Sequence, residues 1–585
     1  MAKLSSLAQF VALAATGIAW SSPDCKAVPG SPGWPTEIQW SGLNTSLSGR
    51  LIKPSPPGAV CHPTQVTFNA AECPAVQAEW LTAAWHTTNP VSSIRNNWNN
   101  DTCLPIATDP CSGEGYPIYV VNATCAEDVK AGVDFARENN IRLIVKGTGH
   151  DYIGRSSAPN SLSIWTHHIT GLSFHDGFEP KGCGFSIDGA AITAAAGTQM
   201  LELDGQAHLR NLTIVSGGSG SVGVGGYLTG GGHGALSSTY GMGADQVLEI
   251  EMVTPGGDIV TVNECQNQDL FWAMRGGGGS TFGVMTSVTI KAFQSSAFHT
   301  VTALMATKPG TDAYWSVIAN VLSQFPTLDE MGISAYSYIA PGFTSAALNI
   351  TTPVDGFYGI FMLPGLHPEN TSDSLTSAIK QLFNTATSSF PQQFETFTNT
   401  TSYPDFWSYF EPNYGPLNAG DDGVLGSRLL DGKALTGNLT ALADAYRVAS
   451  PVGNEISAFL VSGKGVHNAK PRGGSNAVNP AWRTAYIHSV LSVGWEPLNE
   501  QQKKNQEGNL TDVYIEGLRK LAPDMGAYVN EAYPDEPDWQ HTFWGDNYER
   551  LLSIKKDYDL GNVLWCHPCV GSENWEVVDN VLCSK

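Results

Sequence analysis

Residues 146–156 read KGTGHDYIGRS, and residues 217–234 read GGSGSVGVGGYLTGGGHG, ten glycines in eighteen residues. The first run follows Ile141–Val145, which is apolar except for Arg142, as a buried strand should be. Glycine lets the backbone turn sharply and leaves N–H groups uncovered. Consecutive uncovered N–H groups make an anion-binding concavity suited to a diphosphate. Taken alone, the first run is an ordinary turn with a surface histidine, His150. In the second run Gly218, Gly220 and Gly223 satisfy G-x-G-x-x-G after a strand at Leu212–Val215. A dinucleotide fold is set aside all the same, because that motif should open a helix in the first βα turn of its domain. Gly225, Gly226 and Gly230–Gly232 each cost a continuous helix about 1 kcal/mol, and βαβ-type elements already precede them. No Gly-Lys-Ser/Thr follows, which excludes a P-loop. What remains is a glycine-lined channel where backbone approaches a large flat ligand. Two such loops suggest one extended cofactor.

Working outward, Ile118–Val121 reads as a strand. Thr124 with Glu127 reads as a capping box that starts a helix with Val129, Val133 and Ala136 on one face. Strands are expected at Leu162–Trp165 and Val284–Ala292, a small apolar segment at Ala190–Ala196, and helices at Met200–Leu209 and Asp269–Met274. Val247–Val253 and Ile259–Val262 form a hairpin around Pro255-Gly256-Gly257. The chain divides into a leader at 1–20, a disulfide-rich irregular region at 21–114, an α+β unit at 115–293, a second region at 294–535 and a closing segment at 536–585 with a helix at Asn547–Asp557.

The bulk properties limit the partners. The 585 residues carry a formal net charge of −23 with 42% hydrophobic and 15% charged residues. Such a chain can bury a large core, and its acidity repels nucleic acid. Lys3, the apolar run Leu7–Ala19 and small residues near Ala19–Ser22 read as a secretory signal. No later segment is apolar for long enough to span a bilayer, so no membrane partner is expected. Asn-x-Ser/Thr acceptors at Asn44, Asn100, Asn122, Asn211, Asn349, Asn370, Asn399, Asn438 and Asn509 agree with export, and several are expected to carry N-linked glycans. Eleven cysteines follow the leader. Most should pair in an oxidising compartment, leaving at least one over. Cys566 and Cys569 form a lone C-x-x-C, which reads as a disulfide or a turn, and no metal site is expected.

The two glycine runs, together with DLFWAMRGGGGSTFGVMTSVTI at 269–290 and WGDNYERLLSIKKDYDLGNVLW at 544–565, resemble the FAD-linked oxidases related to vanillyl-alcohol oxidase and the berberine bridge enzyme. The resemblance implies an α+β fold: a two-lobed FAD-binding domain of the PCMH type, interrupted by an α+β substrate domain with an antiparallel sheet. It implies that the first loop cradles the diphosphate through Lys146, Gly147, Thr148, Gly149, Asp151 and Gly154. It places Gly218, Ser219, Val222, Gly225, Gly226, Gly230, Gly232, His233, Gly234, Val284 and Tyr548 around the cofactor. His150 occupies the position of the histidine bonded to the flavin 8α carbon, a reaction that suits a neutral imidazole. Several relatives add a second bond from a cysteine three residues before V-G-V-G-G. Ser219 stands there, so a single link is expected. Val222 stands where relatives with a small side chain open a path for O2.

The flavin carries the redox step, and a protein base removes the substrate O–H proton. Candidates for that base are Tyr548, Tyr486 and His488. Tyr486, His488 and Val490 alternate onto one face of a strand. Val490 occupies the position where relatives carry a Glu or Gln. The expected partners are a small-molecule substrate and O2, and the expected activity is oxidation of an alcohol or sugar with release of H2O2 from a secreted enzyme. An oxidative cyclase or dehydrogenase of secondary metabolism on the same fold, and a non-catalytic secreted binding glycoprotein, are the alternatives.

Overall fold

A computed structural model describes residues 24–346, 350–415 and 417–585. The expected leader and the acceptor Asn349 lie outside the described residues. Three sheets organise the chain. The first runs, in spatial order, Leu51–Ile52, Tyr119–Asn122, Ser161–Trp165, Arg142–Lys146. The last three are parallel and the short edge strand is antiparallel to its neighbour. Helix Ala126–Glu138 crosses between strands and buries Val129, Val133 and Ala136, the face its periodicity marks out.

That helix starts differently from expectation. No Thr124–Glu127 box forms. Thr124 donates from its N and its Oγ1 to Asp128 Oδ2 at 2.9 Å each, and Arg50 closes on the same carboxylate at 2.6 Å. The buried, paired Asp128 outcompetes the exposed Glu127. A true capping box stands earlier, where Thr36 and Gln39 exchange bonds ahead of helix Glu37–Ser46. The region before 115 is thus partly helical, not merely irregular. It belongs to the first sheet's body: Trp40, Leu43 and Leu47 share one apolar cluster with Val121 and Leu162.

The second sheet is antiparallel throughout, in the order Leu172–Phe178, Ile187–Ala195, Val284–Lys291, Val247–Val253, Ile259–Asn263. The expected hairpin is its outer pair. The second glycine run lies beside it and, against expectation, does open a helix, Val224–Gly230. Buried Val224, Tyr227 and Leu228 hold those two turns in spite of their glycines. Neither sheet is doubly wound, and the dinucleotide fold stays excluded.

The third sheet is the largest: Glu395–Tyr403, Phe298–Thr307, Ile350–Pro364, Ser334–Ser345, Ile456–Ser457, Ala485–Trp495, Asp422–Asp431, with Phe459–Leu460 pairing beside it. Strand alternation gives it two faces. Ala335, Ile339, Phe357, Phe361, Leu491 and Val493 enter one core cluster with helices Tyr314–Leu322, Ser372–Thr387 and Leu439–Ala449. Tyr336, Tyr338, Tyr358, Val490 and Ser492 point the other way, toward the glycine loops. Helix Tyr548–Tyr558 then returns to the second sheet's core through Leu551 and Ile554, and Leu564 bridges to Leu143 of the first sheet.

Disulfides join Cys25 to Cys583, Cys61 to Cys73, Cys103 to Cys111, Cys183 to Cys265 and Cys566 to Cys569. Cys125 is the eleventh and carries a free thiol. No helix among the described residues is long and apolar enough to cross a membrane.

Candidate functional site

A cavity of about 960 Å³ separates the glycine loops from the third sheet. Gly147, Thr148, Gly149, His150 and Asp151 line it from the first loop. Gly218, Ser219, Val222, Gly225, Gly226 and His233 line it from the second, and Val284 lies on its floor. Sequence reasoning had singled out all twelve. Gly149 adopts φ +79°, the left-handed region, and a Cβ there would come within 2.8 Å of the Ser92 carbonyl. The turn this permits presents His150. Asp151 ties the loop down, accepting from Ser156 N at 2.6 Å and from Ser156 Oγ at 2.9 Å.

His150 Nε2 lies 2.7 Å from Ser221 Oγ, and Ser221 Oγ lies 3.4 Å from Ser219 Oγ. Burial, with His86 and Lys146 adding positive potential, pushes the imidazole down to about 4. The ring is neutral and its Nδ1 has no hydrogen bond among the described residues. A neutral imidazole with an open nitrogen on a cavity wall is a nucleophile.

Five expected contacts take other roles. Lys146 is fully buried behind the loop, donates to the His86 carbonyl at 3.3 Å and is pushed down to about 7 by burial. Gly154 packs on Trp98, away from the cavity. Gly230 and Gly234 leave room for Asn530 and for the Ser216 carbonyl, and Gly232 for Tyr227. These last three glycines are packing residues within the loop.

The three candidate bases are not on the cavity wall. Tyr548 donates to Glu573 at 2.9 Å and packs edge-on to Trp539. Tyr486 lies against His467, half-buried at the far end of its strand. His488 shares the cavity-facing side with Val490, yet is wholly buried behind Glu531, whose Oε2 accepts from His488 Nε2 at 2.9 Å and from His233 Nε2 at 3.2 Å. Val490 does line the cavity. Residues that sequence reasoning passed over complete the wall. Tyr336, Tyr338, Tyr409, Tyr414 and Phe459 form an aromatic face, and the segment Tyr528–Glu531 closes the edge. Tyr336 Oη has no hydrogen-bond partner among the described residues. Asn530 stitches that segment to the glycine helix, donating to the Gly226 carbonyl at 3.1 Å and accepting from Arg155 at 2.7 Å.

The residues fit a flavin dinucleotide. A Cβ on Gly225 or Gly226 would meet no protein atom within 4 Å and would project into the space a cofactor needs. Arg155 lines the same space with Nη1 buried and without a partner, an N–H suited to a phosphate oxygen.

Models of known families match two parts of the chain: an FAD binding domain over residues 117–263, and one described as berberine and berberine like over residues 527–571. An uncharacterized FAD-linked oxidoreductase of Arthroderma benhamiae is 36% identical, over 98% of each chain. The chain belongs to the vanillyl-alcohol oxidase and berberine bridge enzyme-like family of FAD-linked oxidoreductases. A VAO-type flavoprotein oxidase of Thermothelomyces thermophilus is 31% identical over 98% of each chain. The crystal structure of a VAO-type flavoprotein from Myceliophthora thermophila C1 superimposes with a TM-score of 0.88 at 30% identity, covering 96% of this chain and all of the other. Membership makes the protein an enzyme that uses FAD in the two-lobed fold expected of the family, and sets aside the non-catalytic binding glycoprotein. The residues that would hold that cofactor line the cavity between the glycine loops and the aromatic face.

Proposed function

We propose that the protein is a secreted oxidase that carries FAD through one covalent bond from His150 and oxidises an alcohol or sugar C–H. The observation that carries the reading is the neutral His150 on the cavity wall, with Nε2 engaged by Ser221 and Nδ1 open. With Nε2–H donating to Ser221 Oγ, the Nδ1 lone pair is free to bond the flavin 8α carbon. Ser219, not a cysteine, stands at the second attachment position, and a serine hydroxyl is no substitute for a thiolate there. When bound, the flavin accepts a hydride from substrate and returns the electrons to O2, giving H2O2. The chain supplies the rest. Arg155 and the backbone of the two loops hold the cofactor, and the Tyr336 and Tyr338 face orients the substrate. Export is supported by the leader-like start and the five disulfides. Asn100, Asn211, Asn399, Asn438 and Asn509 are exposed, as glycan acceptors must be.

The test is direct. Wild-type protein precipitated with acid should stay yellow, and a tryptic peptide containing His150 should carry the mass of FAD. His150→Ala should release all colour on precipitation. Colour retained in the variant, or a flavin found on another residue, would reject the linkage. An oxygen electrode and a peroxide assay over a panel of sugars and alcohols test the oxidase step. The breadth of the aromatic face favours one second reading, an oxidative cyclase or dehydrogenase for a large apolar metabolite. In that case a large apolar alcohol would bleach the flavin with no peroxide formed, and the sugars of the panel would not.

A further inference from the structure

We propose that Glu531 is the proton acceptor of the oxidation and that His233 and His488 hold it in place; this rests on the flavin-oxidase reading above. Three carboxylates reach the cavity wall: Asp151, Glu455 and Glu531. Asp151 is spent on Ile153 N, Ser156 N and Ser156 Oγ. Glu455 is taken by the Tyr358 hydroxyl at the exposed rim. Glu531 differs. Its Oε2 accepts from both imidazole N–H groups, while its Oε1 has no hydrogen bond among the described residues. One oxygen is anchored and the other is free.

The anchor is rigid. His488 is fully buried and His233 is 7% exposed, and each is fixed by Trp482 and Tyr528, whose ring centroids lie between 5.3 and 5.9 Å from theirs. On the third sheet's cavity face Val490 has no proton-accepting atom, and Tyr336 and Tyr338 are phenols that burial keeps protonated. An oxidised alcohol must lose two groups. Its C–H bond breaks and the hydride, with both bonding electrons, goes to the flavin. Its O–H proton goes to Glu531 Oε1 as the C=O bond forms. When bound, the flavin would pass the two electrons to O2, which would leave as H2O2 with the hydride's hydrogen and the proton taken by Glu531. The other titratable groups facing Glu531 are the phenols Tyr152, Tyr336, Tyr338 and Tyr528, all raised by burial and un-ionised across the working range. The two histidines hold the Glu531 carboxyl well below the usual carboxylate range. The acceptor is therefore ionised even in acid.

The test uses the flavin-loaded protein and Glu531→Gln, which preserves volume. The first readout needs no turnover: 4-nitrophenol is titrated against the flavin absorption band at several pH values. A carboxylate acceptor binds the neutral phenol and repels the phenolate, so wild-type affinity should fall roughly tenfold or more as the probe ionises. Glu531→Gln should lose that discrimination. No binding to wild type, or equal binding of both forms, overturns the assignment. The second readout is anaerobic bleaching of the flavin by the best alcohol of the panel. The variant should be slower by roughly 10²–10⁴-fold, with unchanged reoxidation by O2 after photoreduction. An unchanged bleaching rate overturns the proposal.

His233→Asn and His488→Asn should lose less activity and move the acid limb of the rate to higher pH; an unmoved limb removes their positioning role. A stoichiometric transition metal in the purified protein, lost on Glu531→Gln, would also overturn the proposal, because the metal would occupy these three side chains. Yellow wild type that no alcohol bleaches rejects the oxidase reading alone, and the nitrophenol arm still decides Glu531.

Discussion

At His150, burial, a turn glycine and the neighbouring basic groups His86 and Lys146 act on one side chain. A histidine whose folded pKa is depressed stays neutral above that value and protonates only as pH falls through it. For His150 that value is about 4. Flavin-free protein reconstituted with FAD should therefore attach it at an undiminished rate from neutral pH down to near that value, and lose the reaction below it. Flavin fluorescence in a denaturing gel reads this out; a rate that already halves near the ordinary histidine value, about 6.5, would contradict it. Single residues are also where sequence reasoning was least complete. His150 was legible because a buried strand, a glycine turn and a second glycine channel surround it in sequence. Glu531 was not. Its partners His233 and His488 lie hundreds and tens of residues away, respectively, and nothing in the local pattern AYVNEAY marks a carboxylate that faces a cavity. Tyr548 is implied by the family resemblance and Tyr486 by the alternation of its strand, and packing places Tyr548 on Glu573 and Tyr486 against His467.

Elements were easier to read. Strands and helices from 115 to 293 fall within a few residues of their expected places because each carries a clean apolar period. The strand Leu172–Phe178 was hidden, since His175, Asp176 and Gly177 interrupt any alternation. The helix Val224–Gly230 was doubted on glycine propensity, and tertiary burial overrode that weak local cost. In the function proposed above, Gly225 and Gly226 leave room for the cofactor. Gly225→Val should fold normally, because the new side chain meets no protein atom within 4 Å. It should nonetheless bind no FAD, leaving a colourless protein with an unaltered circular dichroism spectrum. Full flavin content in this variant would show that the cofactor does not lie against this helix. The third sheet illustrates the same limit from the other side: alternation tells which residues share a face, but not which face meets the cavity.

Over the whole molecule, acidity is built into the interior as well as the surface. Burial raises Asp204 to about 8 and Asp329 to about 7, so the folded state holds protons that the unfolded chain, near 3.9, has released. That stabilisation is complete below the unfolded value and is lost as pH rises through the folded one. His86, His150 and His167, each near 4, act oppositely: their contribution is complete above about 6.5 and declines as pH falls toward 4. The melting temperature should therefore fall as pH rises from about 6.5 toward 8. Asp204→Asn should flatten that fall, a comparison that scanning fluorimetry makes directly; parallel curves would mean Asp204 is ionised in the folded protein. A last consequence comes from the bond between Cys25 and Cys583, which closes a loop across 558 positions. It makes residues 25–583 a single covalent ring. A single proteolytic cut within the ring would leave both pieces tethered, so a nicked molecule could keep its colour.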